Sequence, residues 1–352
     1  MMSAATDIKT SLIRSMRRQM RSALDVMDAA AARLYLSVKS EGPSLLALLF
    51  HVLFRDSREA GENHVHPQQH MTVGCFRRII EYFLRNGYCF VSPHDVLQGL
   101  DPSKKYVMLT FDDGYFNNTL ALPVLHEFNV PAVFYISTDH VRQGKNFWWD
   151  VVYRQALQAN ATPAVIEQQL TELKILRTAD IEAELKQRFG PGCLTPLGDV
   201  DRPFTAQELR DFAREKHVHI GNHTADHAVL TNYRTDEAEQ QIKDCQQALR
   251  EMLGIEAESI AYPNGCYNQQ TLEMSRKVGL KLGVTVEQHK NPLPLGKEPL
   301  ALMRLGRFVP WARPDMDRQC ELFRSDVIPS KCVRHVWQRL IISQILNDRH
   351  TV

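Results

Sequence analysis

Two groups of side chains in this sequence could do chemistry together. One is Asp112 and Asp113, adjacent in Leu109-Thr110-Phe111-Asp112-Asp113-Gly114-Tyr115; the other is His223 and His227 in His223-Thr224-Ala225-Asp226-His227. The aspartates end an apolar run abruptly. In a continuing strand they would point to opposite faces, so both serve one site only if the chain turns there, as Gly114 permits. Paired carboxylates at the C-terminal end of a strand, where βα loops build active sites, can divide the work of metal ligand and general base. Taken alone, the pair also fits a plain Asp-Gly turn. Histidines at this spacing project to one face of a helical turn and can grip one ion, although a lone pair also fits solvated surface or a satisfied core. With Asp113 the set becomes two imidazoles and one carboxylate, which leaves coordination positions open for water and substrate. That is the donor set of a hydrolytic metal site. An Fe(II) oxygenase uses the same set, but it has no need of the adjacent second carboxylate.

Side chains so far apart in sequence can meet only if regular elements carry them to one place. From about residue 44 onward, short β-branched or aromatic runs alternate with helical patterns, the signature of a sheet or barrel of βα units. The expected strands are Leu45–Leu53, Tyr88–Val91, Tyr106–Phe111, Ala132–Ser137, His217–Gly221, Ser259–Tyr262, Leu282–Val286 and Leu302–Val309. Helices are expected over Phe76–Arg85, Phe116–Phe128 and Asp236–Leu253, the last capped by Thr235, with a Thr205/Glu208 capping box opening another. The alternation breaks once, at about 146–200, which begins with Phe147-Trp148-Trp149 and ends in Gly190-Pro191-Gly192. It reads as an insertion. The expected organisation is a helical extension over 1–43, a catalytic domain over 44–312 and a second helical extension over 313–352.

Bulk composition narrows the function classes. With 42 basic and 41 acidic residues the formal net charge is +1, so no global field argues for nucleic acid. A local basic surface does occur. Residues 1 to 22 carry Lys9, Arg14, Arg17, Arg18 and Arg21, with Ile8, Leu12, Met16 and Met20 at helical spacing. They form a candidate amphipathic helix for an anionic membrane leaflet, or a plain solvated or packed helix. The seven cysteines are widely spaced and lack any Cys-x-x-Cys pair, which fits a reducing compartment. No secretory signal is read, and the apolar run Leu45–Phe54 is too short to span a bilayer. The expectation is a cytoplasmic protein, peripheral at the inner face of the membrane if the basic helix docks there.

The Asp112-Asp113 pair, the His-x-x-x-His motif and the segment Ala261-Tyr262-Pro263-Asn264-Gly265-Cys266-Tyr267, in this order, resemble the polysaccharide deacetylase family, also called NodB-homology or carbohydrate esterase family 4 proteins. The likeness runs from about His51 to Val309. It implies an α/β fold, a distorted (β/α) barrel, here with the inserted helical segment. By resemblance Asp112 matches the catalytic base, while Asp113, His223 and His227 match the ligands of a divalent metal. That metal is usually Zn2+, with Co2+, Ni2+ or Mn2+ as alternatives. The backbone N–H of Tyr115 matches an oxyanion donor, and Tyr262, Pro263 and Asn264 fall in the substrate-binding motif.

The sequence departs from the commoner family pattern twice. Most relatives supply a general-acid histidine from a Leu-x-His strand near the C-terminus, but Met303-Arg304-Leu305-Gly306-Arg307-Phe308 contains none. Leu49-Phe50-His51-Val52 resembles the N-terminal strand of the permuted exopolysaccharide deacetylase branch, so His51 is the candidate acid; a core histidine is the alternative. Many members also carry an arginine before the third motif to tune the base, where Ala261 and Tyr262 stand here. Arg304 or Arg307 could replace it, by chain order alone; a surface or salt-bridged arginine is the bland reading. Trp148 and Trp149 could stack on sugar rings or pack the insertion. His64, His66 and His70 lie in a polar, loop-like stretch, and His289 ranks below His51. The resemblance implies a hydrolase that removes N-acetyl groups from N-acetylhexosamine units, acting on a surface polysaccharide or glycolipid precursor. The alternative is a saccharide-binding relative that has lost turnover.

Overall fold

The computed structural model describes residues 24–296, 298 and 300–330. Within it the chain divides into two compact units, Pro43–Met316 and a smaller one drawn from Met1–Gly42 and Asp317–Val352. In the smaller unit a helix over 24–38 is tied by Arg33 to Glu321 at 3.2 Å and by Asp28, whose Oδ1 accepts from the Ser330 N–H at 2.7 Å. The basic stretch 1–22 and Cys332 lie outside the described residues. The six described cysteines are all free thiols, and no described helix is long and apolar enough to cross a membrane.

The larger unit is built on nine strands: β1 Ser44–Phe50, β2 Cys89–Phe90, β3 Tyr106–Phe111, β4 Ala132–Ile136, β5 Val218–Asn222, β6 Ser259–Ala261, β7 Leu282–Val284, β8 Asn291–Pro292 and β9 Arg307–Phe308. They pair in the order β7-β6-β5-β4-β3-β1-β8, with β2 on β3 and β9 on β1. Every pairing is parallel except β1 with β8. Strands such as Ser44–Phe50 and Tyr106–Phe111 are buried along their whole length, which is why they read as continuous apolar runs. The sheet curls back on itself. Leu305 bridges Val284, donating to Gly283 O at 2.9 Å and accepting from the Thr285 N–H at 2.9 Å. Two residues later the chain becomes β9, which pairs with β1. The result is a nearly closed (β/α) barrel, the fold expected from the sequence.

Register decides what points where. Phe50, Phe111 and Phe134 are cross-strand partners, and their rings stack at 5.1 and 4.8 Å with Phe76 edge-on to the first two. Residues two apart share a face of a strand, so Thr110 and Asp112 project to the other side of β3 from Phe111. The same face of the next strand carries Tyr135, whose ring lies against Gly221 so closely that any Cβ there would clash. Gly221 therefore cannot carry a side chain without moving Tyr135.

Several elements differ from the sequence reading. The run Leu302–Val309 divides into a 3-10 turn, Ala301–Arg304, and the short β9. The stretch Phe116–Phe128 divides into a 3-10 turn and an α-helix that opens at Leu122, with Pro123 in its first turn, where a missing N–H costs no helical bond. The long helix Thr235–Leu253 is capped by Arg234 rather than Thr235, with Glu237 accepting from the Arg234 N–H at 3.0 Å. The Thr205/Glu208 capping box is present. The segment inserted after β4 holds three helices, Trp148–Gln158, Pro163–Leu173 and Thr178–Phe189, around an apolar cluster that includes Phe147, Trp148, Ile166, Leu170 and Leu185.

Candidate active site

Because the strands run parallel, the residues that follow their C-terminal ends share one rim of the barrel. His51 follows β1, Asp112 and Asp113 follow β3, and His223 follows β5. At β3 the strand geometry breaks. Asp112 is still held like a strand residue, its N–H donating to Phe50 O at 2.9 Å, but Asp113 has φ 75° and Gly114 φ 92°. A left-handed aspartate is an uncommon conformation, and it brings both carboxylates to one side. The Asp113 carbonyl accepts from the Ser137 N–H at 3.2 Å, which holds the turn against β4.

The two histidines do not lie on a helical turn, contrary to the sequence reading. Thr224 (φ 63°) and His227 (φ 48°) are both left-handed, and such residues cannot continue an α-helix. Local polar side chains shape an irregular loop instead. Asn222 Oδ1 accepts from the Thr224 N–H at 2.8 Å, Thr224 Oγ1 accepts from the Ala228 N–H at 2.8 Å, and Gln241 Oε1 accepts from the Asp226 N–H at 3.1 Å. This loop still brings both imidazoles to Asp113.

Asp113 Oδ1 lies 3.4 Å from His223 Nε2 and 3.4 Å from His227 Nε2, and one donor atom from each residue falls within 4.8 Å of the others. Two atoms held about 2.1 Å from a tetrahedral ion stand about 3.4 Å apart, so the observed separations suit a shared cation. His223 Nδ1 contacts Ala261 O at 2.8 Å, which sets the tautomer with the proton on Nδ1 and turns the Nε2 lone pair inward. That Nε2 is fully buried with no hydrogen-bond partner. A buried, unsatisfied nitrogen aimed between a second imidazole and a carboxylate is a group arranged for a ligand.

Asp112 is occupied differently. Arg307, fully buried, donates from its two terminal nitrogens to Oδ1 at 2.7 Å and Oδ2 at 2.8 Å, and is itself held by Thr285 O at 2.7 Å and Thr110 Oγ1 at 3.0 Å. Burial raises the Asp112 carboxyl, but the Arg307 guanidinium and then His223 outweigh it and hold the group below the usual carboxylate range. Asp113 is likewise raised by burial and carried well below that range by His223, His51 and His227. Burial lowers His223, yet the neighbouring Asp112 and Asp113 leave it above an ordinary histidine. His227 is pulled down to about 3, chiefly by burial. Asp112, at 3% exposure, is thus matched by Arg307, whereas Asp113, at 2%, is an ionised carboxylate facing the imidazoles, and a divalent cation fits there.

His51 is the half-buried member of the group, its Nδ1 3.1 Å from Gln69 Oε1 while Gln69 Nε2 donates to Leu49 O at 2.9 Å. The Tyr115 N–H meets no acceptor among the described residues. Its phenol is buried, donating to Asp150 Oδ2 at 2.9 Å and accepting from Trp149 Nε1 at 2.8 Å.

Other candidates are placed elsewhere. Arg304 is exposed on the 3-10 turn and does not reach Asp112; Arg307 does, because it lies on β9 beside β1. Trp148 is buried in the insertion's core, so it offers no face to a sugar. Trp149 is also buried, with its ring 4.6 Å from the His227 imidazole. Tyr262 and Pro263 are buried, while Asn264 is half-buried with φ 56°; the Tyr262 ring therefore packs the barrel and presents nothing to solvent. His66 packs edge-on to Tyr153, 5.1 Å between rings, and His289 is exposed beside Glu287. Sequence reasoning missed Gln69 as the partner of His51 and Trp149 as the wall behind His227. Neither carried a spacing signal that could have revealed it.

Comparisons with known proteins address the family and the fold. The family model described as "Polysaccharide deacetylase" matches residues 99–283. The Bacillus subtilis (strain 168) protein YxkH is 23% identical over 255 residues, 71% of this chain and 67% of that protein. Among solved structures, the Streptococcus pyogenes deacetylase PplD, in complex with acetate, aligns with a TM-score of 0.55 at 19% identity, covering 80% of this chain and 99% of that one. IcaB from Ammonifex degensii aligns with a TM-score of 0.53 at 18% identity, covering 81% and 98%. At these identities the structural likeness speaks to the fold.

Replacing Arg307 by Met would leave Asp112 buried without its cation. The expected loss is about 3 to 5 kcal/mol in urea unfolding, the cost of breaking a buried ion pair from one side. Arg304→Met, at an exposed position, should stay within about 0.5 kcal/mol of the parent. Equal small effects from the two substitutions would contradict the pairing.

Proposed function

This chain belongs to the polysaccharide deacetylase family, and we propose that within it the protein is a metal-dependent hydrolase that removes N-acetyl groups from N-acetylhexosamine units of a saccharide. The observation that carries the reading is the Asp113, His223 and His227 donor set, with both Asp–His separations at 3.4 Å, beside a second carboxylate that is not part of it. Asp113, His223 and His227 would hold a divalent cation, Zn2+ by the nitrogen-rich donor set. Bound there, it would supply Lewis acidity to the acetamide carbonyl and make a water acidic enough to attack near neutral pH.

The remaining steps belong to the protein's own groups. Asp112, ionised at neutral pH and fixed by Arg307, takes the proton of the attacking water. The Tyr115 N–H, which meets no acceptor among the described residues, donates to the oxyanion that develops on the carbonyl oxygen. His51, half-buried at the rim and held through Nδ1 by Gln69, donates a proton from Nε2 to the departing nitrogen. Acetate and a free amine leave.

The substrate we infer is a precursor of a surface polysaccharide or glycolipid, met on the cytosolic side. Free cysteines and the basic residues of 1–22 support that location, the latter as a contact for anionic lipid. Cell fractionation tests it: if deleting residues 1–30 leaves the membrane-associated fraction unchanged, the membrane contact is wrong.

Acetate release from N-acetylglucosamine oligosaccharides, assayed with added Zn2+, tests the activity. Asp112→Asn should lower kcat by about 10²- to 10⁴-fold, and a chelator should abolish turnover until Zn2+ is restored. Wild-type rates from Asp112→Asn, or turnover indifferent to chelation, would sink the assignment. The acid side of the pH–rate profile tests the tuning of the base. Arg307 keeps the Asp112 pKa low, so the carboxylate stays ionised as pH falls. Arg307→Lys gives up the two-pronged contact and should raise that pKa, moving the acid limb to higher pH.

A further inference from the structure

The mechanism leaves unused a buried charged cluster around Lys145. Lys145 Nζ lies 2.6 Å from Asp226 Oδ1 and 2.7 Å from Glu182 Oε1, and the Lys145 side chain is 10% exposed. Asp226 precedes His227 in the loop that carries both histidines. Glu182 lies on the third helix of the inserted segment, Thr178–Phe189. His140, fully buried, joins the cluster with Nε2 3.8 Å from Asp226 Oδ1 and Nδ1 3.2 Å from Lys145 O. The first helix of the same segment adds Trp149, whose ring lies 4.6 Å from His227 and whose Nε1 donates to the Tyr115 hydroxyl.

We propose that the inserted segment is a structural part of the metal centre and that Lys145 is its positioning residue, tying the His223–His227 loop to the insertion through Asp226 and Glu182. The inference rests on the reading of His227 as a metal ligand. The loop needs such support, because two of its residues are left-handed and it has no helical hydrogen bonds of its own. On the barrel side it is held by Gln241, which accepts from the Asp226 N–H through its side chain and from the Ala225 N–H through its carbonyl. On the insertion side the tie is ionic, one ammonium between two largely buried carboxylates. Without that ammonium nothing bridges Asp226 to Glu182, and the residue next to His227 loses its tie to the insertion. Lys145 is not among the three donor residues and acts through the loop alone.

The test measures Zn2+ affinity of the full chain by competition with a chromophoric chelator, alongside the thermal midpoint of the metal-free protein. Lys145→Met should weaken Zn2+ binding by about tenfold or more, the range seen when groups that orient metal ligands are lost. Lys145→Arg, which keeps the charge, should restore most of it. Glu182→Gln leaves the Lys145–Asp226 pair but takes the charge out of the link to the insertion, and should weaken binding by a smaller factor. A folded Lys145→Met protein with wild-type Zn2+ affinity overturns the proposal. So does one in which Arg restores metal-free stability but not affinity. If Lys145→Met does not fold, Glu182→Gln decides, and unchanged affinity there overturns it. Failure of the unaltered protein to bind Zn2+ would instead overturn the metal reading of Asp113, His223 and His227 on which the inference stands.

Discussion

Two carboxylates buried side by side at the end of one strand cannot both stay ionised unless positive charge surrounds them. Removing each from water costs several kcal/mol even after relaxation, and the repulsion between them adds to that. The structure treats the two differently. Asp112 receives a buried guanidinium through two short hydrogen bonds, and Asp113 faces two imidazole nitrogens at the spacing of a coordination sphere, where a bound cation would supply the positive charge. This division of partners is what gives chemically identical side chains distinct roles. The carboxylate locked to arginine is fixed in orientation and, in the mechanism proposed above, accepts the proton, while the carboxylate facing imidazoles is left free to share a cation.

The barrel's closure serves that requirement. Arg307 reaches Asp112 only because the chain returns past β7 at Leu305 and lays β9 alongside β1, next to β3. Its Nε is fixed to Thr285 O just beyond β7, and one terminal nitrogen to Thr110 Oγ1 within β3. One side chain thereby joins the two margins of the curled sheet to the carboxylate at its mouth. In a guanidinium the donors lie in a rigid plane, so this arrangement also sets the plane of the Asp112 carboxylate.

The insertion after β4 enters the same picture from the other side. Its tryptophans, read from the sequence as a choice between sugar platform and core, are buried. Trp149 nevertheless touches the site, packing on His227 and donating to the Tyr115 hydroxyl. A segment that looks like an interruption of the βα pattern is thus continuous with the site's own packing.

Much of this was legible in the residues alone. The apolar runs marked the buried strands, the adjacent aspartates with a following glycine marked a turn at a strand end, and the paired histidines with a carboxylate marked a donor set, because these features depend on side-chain type and short-range spacing. What the sequence could not decide were contacts between residues far apart along the chain. It left Arg304 and Arg307 as equals, although Arg307 on β9 is fully buried and reaches Asp112 while Arg304, at the end of the 3-10 turn before it, is exposed. It suggested a helical turn for His223 and His227, where left-handed backbone at Thr224 and His227 makes a loop that depends on Asn222 and Gln241 for its shape. It gave no sign that Gln69 would hold His51, or that Lys145 would lie between Asp226 and Glu182. Local chemistry is written in neighbouring residues. Which buried charge meets which is decided by register and barrel closure, and those exist only in the folded chain.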